Sequence, residues 1–347
     1  AAARAAPAGI LTRAANLGSM RARVLLALIL AASALPAAAG PAIPAIDGPD
    51  LPALGTPTVV TVFDEAPFEC TGSPQTALIQ VPDGPHDRIV LELTVTPDGD
   101  PWDRLAAVAI GGAEVLRATT PRTEMTLRKD ITTYSELLPP GGQAEVSLLL
   151  STYVGALLGT VHLEFYADEP TAVAARAPAE VHPVALWGGL NGNGSTITTD
   201  VGLPEAVPAG AELELTITGH SGAEFWFTSG WQPRIFRVFA DGVQIAEARS
   251  MHYTYAFVGF GAGDPYQTCA GPRTGATGDT LHPLMWWTAQ RALDAAGVHL
   301  GVGEVPPYRA IVEPDLLPLL SGARTIEIAQ VGASATWVTS VSLLLYR

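Results

Sequence analysis

The sequence predicts an all-β chain built as two tandem antiparallel sandwiches of jelly-roll type. Three observations carry this expectation: apolar and polar residues alternate along run after run, Gly-Gly and Asp-Gly pairs sit between such runs, and the same features recur in the same order in both halves. With 347 residues, 48% of them apolar, the chain is long enough for two domains and rich enough to fill a core in each. Its 35 glycines and 29 prolines supply the turns an all-β chain needs.

Residues 1–39 are read as an upstream extension and an address. Met20 is followed by Arg21 and Arg23, by the apolar run Val24–Leu30, and by Ala37-Ala38-Ala39 before Gly40. That is the basic, apolar, small-residue order of a secretory signal peptide, and the run is too short to remain as a membrane span. Its removal takes away four arginines and no acids, leaving 15 basic against 34 acidic residues, a net charge of −19. The expected product is secreted or periplasmic, with no membrane anchor after cleavage. Residues 40–55 form a proline-rich, extended lead-in.

The N-terminal sandwich is placed at 56–168. In Arg88–Thr96, residues Ile89, Leu91, Leu93 and Val95 fall on one face, the period-2 signature of a strand with one side buried. Val108–Leu116 holds two strand-like runs around Gly111-Gly112, a tight hairpin. A linker is placed at 169–180 and the C-terminal sandwich at 181–347. There Leu213–Thr218 repeats Leu91–Thr96, the Asp241-Gly242 hairpin repeats the Gly111-Gly112 one, and Leu319–Ile328 repeats Leu137–Val146. Each half closes on a strand, Thr160–Tyr166 and Thr336–Tyr346. The displacement grows along the chain, so the second half carries insertions, the largest at about 249–307. Helix is scarce; the best candidate is Thr288–Ala296.

Charge and composition exclude several function classes. A net charge of −15, a single lysine (Lys129) and no basic run leave no electrostatic footprint for nucleic acid or an anionic membrane. The seven histidines are scattered without ligand spacing, so no metal and no cofactor is expected. There is no Gly-x-Ser-x-Gly elbow and no phosphate-binding loop. Cys70 and Cys269 are the only cysteines, and export permits a disulfide between them; two free thiols are the alternative.

After each of the paired strands the chain turns into a short loop that delivers a carboxylate beside aromatic residues. The first half gives Pro97–Arg104, with Trp102, Asp103 and Arg104; the second gives Gly219–Trp226, with His220, Glu224 and Trp226. If the sandwiches pack side by side, equivalent loops face one another, and two carboxylates over tryptophan floors suit hydrolysis of a sugar conjugate. The plainer reading makes Asp103–Arg104 a turn-end ion pair, Glu224 a loop cap and the tryptophans packing residues. His220, four residues before Glu224, either binds substrate or supports the loop.

The stretches Trp102–Pro121, Lys129–Leu138 and Gly219–Trp226 resemble the peptide N-glycanase A family and, more distantly, the peptide N-glycosidase F type. The resemblance runs from about Thr56 to Arg347. It implies two jelly rolls with the active cleft between them, and an amidase acting on N-linked glycopeptides or glycoproteins, expected to work as a monomer. It also implies that Asp103 activates or positions water at the amide carbonyl and that Glu224 holds the inner chitobiose and orders the site. Arg104 would keep Asp103 ionised, since a guanidinium beside a carboxylate favours the charged form. Trp102 and Trp226 would stack on sugar rings. The F-type enzymes carry a further active-site glutamate on a late strand of the first domain, whereas Val146–Tyr153 contains no acid. That departure supports a second reading, a non-catalytic glycan-binding sandwich.

Overall fold

A computed structural model describes residues 55–69, 73–98, 105–119, 124–151, 156–167, 177–220, 235–249, 303–304, 307–331 and 336–347, and its strands follow the alternation in the sequence. The first sandwich contains β1 (Thr58–Glu69), β2 (Gln75–Gln80), β3 (Arg88–Asp98), β4 (Leu105–Ile110), β5 (Ala113–Thr119), β6 (Met125–Asp130), β7 (Gln143–Leu150) and β8 (Ala156–Tyr166). One sheet runs β1-β8-β3-β6 and the facing sheet β2-β7-β4-β5. Every neighbouring pair is antiparallel. Apart from the β4–β5 hairpin, successive strands thus cross between the two sheets in the jelly-roll winding.

The second sandwich contains β9 (Glu180–Asn191), β10 (Thr196–Gly202), β11 (Gly210–His220), β12 (Ile235–Ala240), β13 (Val243–Arg249), β15 (Tyr308–Ile311), β16 (Ala323–Val331) and β17 (Thr336–Tyr346). Its sheets run β9-β17-β11-β15 and β10-β16-β12-β13, the first winding repeated strand for strand. The two-residue strand β14 (Gly303–Glu304) departs from the repeat. It lies within the large insertion of the second half, yet it pairs with Thr119 and Ala118 of β5 in the first sandwich.

Alternation explains both cores. Ile89, Leu91, Leu93 and Val95 of β3 are fully buried and meet Val108, Ile110, Val146 and Leu148 of the opposite sheet. In the second roll Leu213, Leu215 and Ile217 of β11 meet Phe236, Val238, Ile326 and Ile328. Trp337, fully buried, packs edge-on against Phe236 with ring centroids 5.3 Å apart.

The turns recur as well. Gly111 and Gly112 have φ of 55° and 83°, and Asp241 and Gly242 have φ of 46° and 80°, the paired positive angles that match a two-residue turn to the twist of its strands. Between the sixth and seventh strands each roll inserts a short 3-10 helix, Thr132–Leu137 in the first and Pro314–Leu320 in the second. The helix candidate at 288–296 lies outside the described residues. No helix among the described residues is long and apolar enough to cross a membrane.

One sheet is buried on both faces. Opposite Leu213, Leu215 and Ile217, the other face of β11 buries Glu214, Thr216 and Thr218, and β17 likewise buries Ser340, Ser342 and Leu344. The first sandwich covers this second face: β5 lies against β9 and β17, and Val181 and Leu344 belong to the first core. The rolls therefore pack side by side.

Candidate active site

Jelly-roll winding sends alternate connections to opposite ends of each sandwich. In the first roll β3 ends at Asp98, opposite Ala156 at the start of β8, and β4 begins at Leu105, opposite Thr119 at the end of β5. The connection between them, 99–104, carries Trp102, Asp103 and Arg104. In the second roll β11 ends at His220, opposite Thr336 at the start of β17, and β12 begins at Ile235, opposite Val331 at the end of β16. The connection 221–234 carries Glu224 and Trp226. The two acid-bearing loops are topological equivalents. Trp102, Asp103, Arg104, Glu224 and Trp226, and both cysteines, lie outside the described residues, and His220 is described through its backbone pairing alone.

The roots of the two loops are joined by a buried polar knot centred on Arg117 of β5. Its Nε donates to Glu114 Oε1 at 2.7 Å and its Nη2 to Glu114 Oε2 at 2.6 Å, a bidentate pair within the first roll. Its remaining donors cross to the second roll. Nη1 reaches Thr218 Oγ1 at 2.9 Å and the Val338 carbonyl at 2.6 Å, and Nη2 reaches Ser340 Oγ at 3.2 Å. All five N–H groups of the guanidinium find an acceptor. Ser340 Oγ also accepts the backbone N–H of Trp187 at 2.9 Å, which ties β9 into the knot at a residue with φ of 51°.

A bulge in β5 makes this knot. Ala109 pairs with Glu114 and Val108 with Leu116, so Val115 is an extra residue in the ladder. Val115 and Leu116 both enter the core, and the slip returns Glu114 and Arg117 to the same outward face. The second roll repeats the device. Val238 pairs with Ala246 and Phe239 with Gln244, Ile245 and Ala246 both face inward, and Glu247 receives Arg237 Nε at 3.0 Å. Reading the sequence by strict alternation misses the Glu114–Arg117 pair, because residues three apart in a regular strand face opposite ways. The available signal was an acid and a base three apart within an otherwise apolar run.

Farther from the loops, a second knot joins the rolls. The Tyr134 hydroxyl, on the first 3-10 helix, donates to Glu214 of β11, and Glu214 pairs with Arg309 of β15 at 2.6 Å. Burial, reinforced by the Glu214 carboxylate, holds the Tyr134 hydroxyl well above its ordinary pKa of 10.0. Burial beside Glu212 pushes Tyr346 up to about 12. Among the described residues no group of three or more His, Cys, Asp or Glu is placed to hold a metal ion.

The strand ends that flank the two acid-bearing connections thus lie close in sequence to the residues Arg117 joins. Thr119, two residues beyond Arg117, lies opposite the residue at which the Asp103 loop rejoins the sheet. Thr218, bonded to Arg117, lies two residues before the end of β11, where the Glu224 loop departs.

Comparison with known proteins gives four findings. The family model for peptide N-acetyl-beta-D-glucosaminyl asparaginase amidase A matches residues 52–248, a span that includes both acid-bearing loops. The fold is similar to that of PNGF-II, with a TM-score of 0.56 at 15% identity over 84% of this chain and 66% of that one, so the chain spans just under two thirds of its length. It is also similar to PNGase F, a glycosylasparaginase from Flavobacterium meningosepticum, with a TM-score of 0.51 at 16% identity over 84% of this chain and 96% of that one. No curated protein sequence matches the chain.

Proposed function

The chain belongs to the peptide N-acetyl-beta-D-glucosaminyl asparaginase amidase A family, and from that premise we propose that it is an exported amidase that cuts the bond between an asparagine side chain and the first N-acetylglucosamine of an N-linked glycan. Its substrates are N-glycopeptides or N-glycoproteins. Asp103 activates or positions a water molecule at the side-chain carbonyl carbon of the substrate asparagine. Water oxygen adds to that carbon, the carbon–nitrogen bond breaks, and the nitrogen leaves with the sugar as a 1-amino sugar. Aspartate remains in the peptide. The bond cut is an amide, so no covalent sugar intermediate forms on the enzyme.

Glu224 holds the inner chitobiose from the opposite wall. Arg104 keeps Asp103 ionised, Trp102 and Trp226 stack on sugar rings, and His220 at the end of β11 contacts substrate. Export rests on the order of residues from Met20 to Ala39. The observation that carries the reading is the equivalence of the two acid-bearing loops, which arise from corresponding strands of rolls packed side by side within the stretch that matches the family.

A defined N-glycopeptide incubated with the chain from Gly40 onward, with EDTA present, tests it by mass spectrometry. The expected products are free glycan and the peptide with aspartate in place of asparagine, and Asp103→Asn abolishes turnover while leaving glycopeptide affinity. An intact glycopeptide over a broad pH range, with the protein folded, overturns the amidase. In that event the absence of an acid from Val146–Tyr153 favours a glycan-binding sandwich without turnover.

A further inference from the structure

We propose that Arg117, held by Glu114, is a positioning residue for this reaction: it fixes the register of the two jelly rolls at the roots of the loops that carry Asp103 and Glu224. The inference rests on the proposed function for its catalytic consequence and on described residues alone for its geometry. Arg117 is 1% exposed and Glu114 5% exposed, so both charges have been taken out of water. That is a poor way to gain stability, because apolar residues of similar volume often replace a buried ion pair at no loss. Its distinctive contribution is directional. Five bonds from one planar guanidinium, two to Glu114 and three to Thr218, Val338 and Ser340, are satisfied together in one placement of β5 against β11 and β17. An apolar contact at the same place would tolerate sliding.

The location gives that register its use. The knot touches β5 two residues from Thr119, which faces Leu105 where the Asp103 loop rejoins its sheet, and β11 two residues from His220 where the Glu224 loop begins. A slide of the rolls at this level transfers directly to the separation of the two loop roots. Catalysis by groups on opposite walls is sensitive to such a shift, since a misplacement of about 1 Å can cost about 100-fold in rate. The bulge at Val115, which brings Glu114 and Arg117 to one face, is the local device that builds the clamp.

Two variants test it, Glu114→Leu/Arg117→Met, which removes both charges, and Arg117→Lys, which keeps the charge but loses the planar fork. Thermal unfolding identifies the variants that fold. Two readouts follow: kcat and KM on an N-glycopeptide, and the distance distribution between spin labels carried by genetically encoded side chains at exposed Leu78 in the first roll and Val243 in the second. In a folded variant we expect kcat to fall about 100-fold with KM little changed, and the label distribution to broaden. Wild-type kcat, or an unchanged label distribution, in either folded variant overturns the proposal. If the wild-type chain releases no glycan, the proposed function fails separately, and the label distances alone then decide the clamp.

Discussion

At the scale of single residues, the buried seam between the rolls sets the sharpest expectations. The Tyr134 hydroxyl donates to Glu214, which is 3% exposed, so Tyr134→Phe leaves a buried carboxylate oxygen without that donor. The expected cost is about 1–3 kcal/mol, read as a lower midpoint in chemical denaturation; an unchanged midpoint would show that the bond contributes nothing. The same residues give a pH dependence. Tyr134 and Tyr346 hold their protons more tightly when folded than the ordinary 10.0, Tyr346 up to about 12. Their contribution to stability is complete below about pH 10; that of Tyr346 is lost as pH rises toward 12, and Tyr134 adds to the loss above pH 10. Thermal melts through that range should fall steadily, and Tyr134→Phe should make the fall shallower. The sequence did not reveal this seam, because Thr216, Thr218, Ser340 and Ser342 read as the solvent face of their strands and are covered only when the rolls meet.

At the scale of elements, the strands were the legible part. The alternation in Arg88–Thr96 and Leu213–Thr218 forces one face inward, and β3 and β11 are the corresponding central strands of equivalent sheets. The hairpins were legible for a different reason, that two consecutive positive φ angles select glycine and aspartate. Alanine at either second turn residue carries a left-handed penalty of about 1–2 kcal/mol. Gly112→Ala should cost slightly less than Gly242→Ala, since a Cβ at Gly112 makes ordinary van der Waals contact with the Pro183 ring at 3.4 Å whereas nothing lies within 4 Å of one at Gly242. Paired thermal melts check that order. The 3-10 helices were not legible, because six- or seven-residue segments lack the repeated apolar stripe that marks a helix. Nor was β14, whose pairing partner lies in the other roll.

At the scale of the whole molecule, duplication explains the fold. Two copies of one winding, packed side by side, bring equivalent connections to the strand ends that Arg117 joins. The repeat and the acid-bearing loops could be read from the sequence. Their common origin at one joined pair of strand ends could not, since it depends on a bulge at Val115 and on which sheet face the first roll covers.

The central claim, that the chain hydrolyses the amide rather than a glycosidic bond, is tested most directly by digesting an N-glycopeptide in water labelled with oxygen-18. The account requires the label in the side-chain carboxylate of the newly formed aspartate, with none at the sugar anomeric carbon of the first-released product, and no release at all by Asp103→Asn. A peptide that keeps its asparagine-linked N-acetylglucosamine while the label enters the released sugar would contradict it.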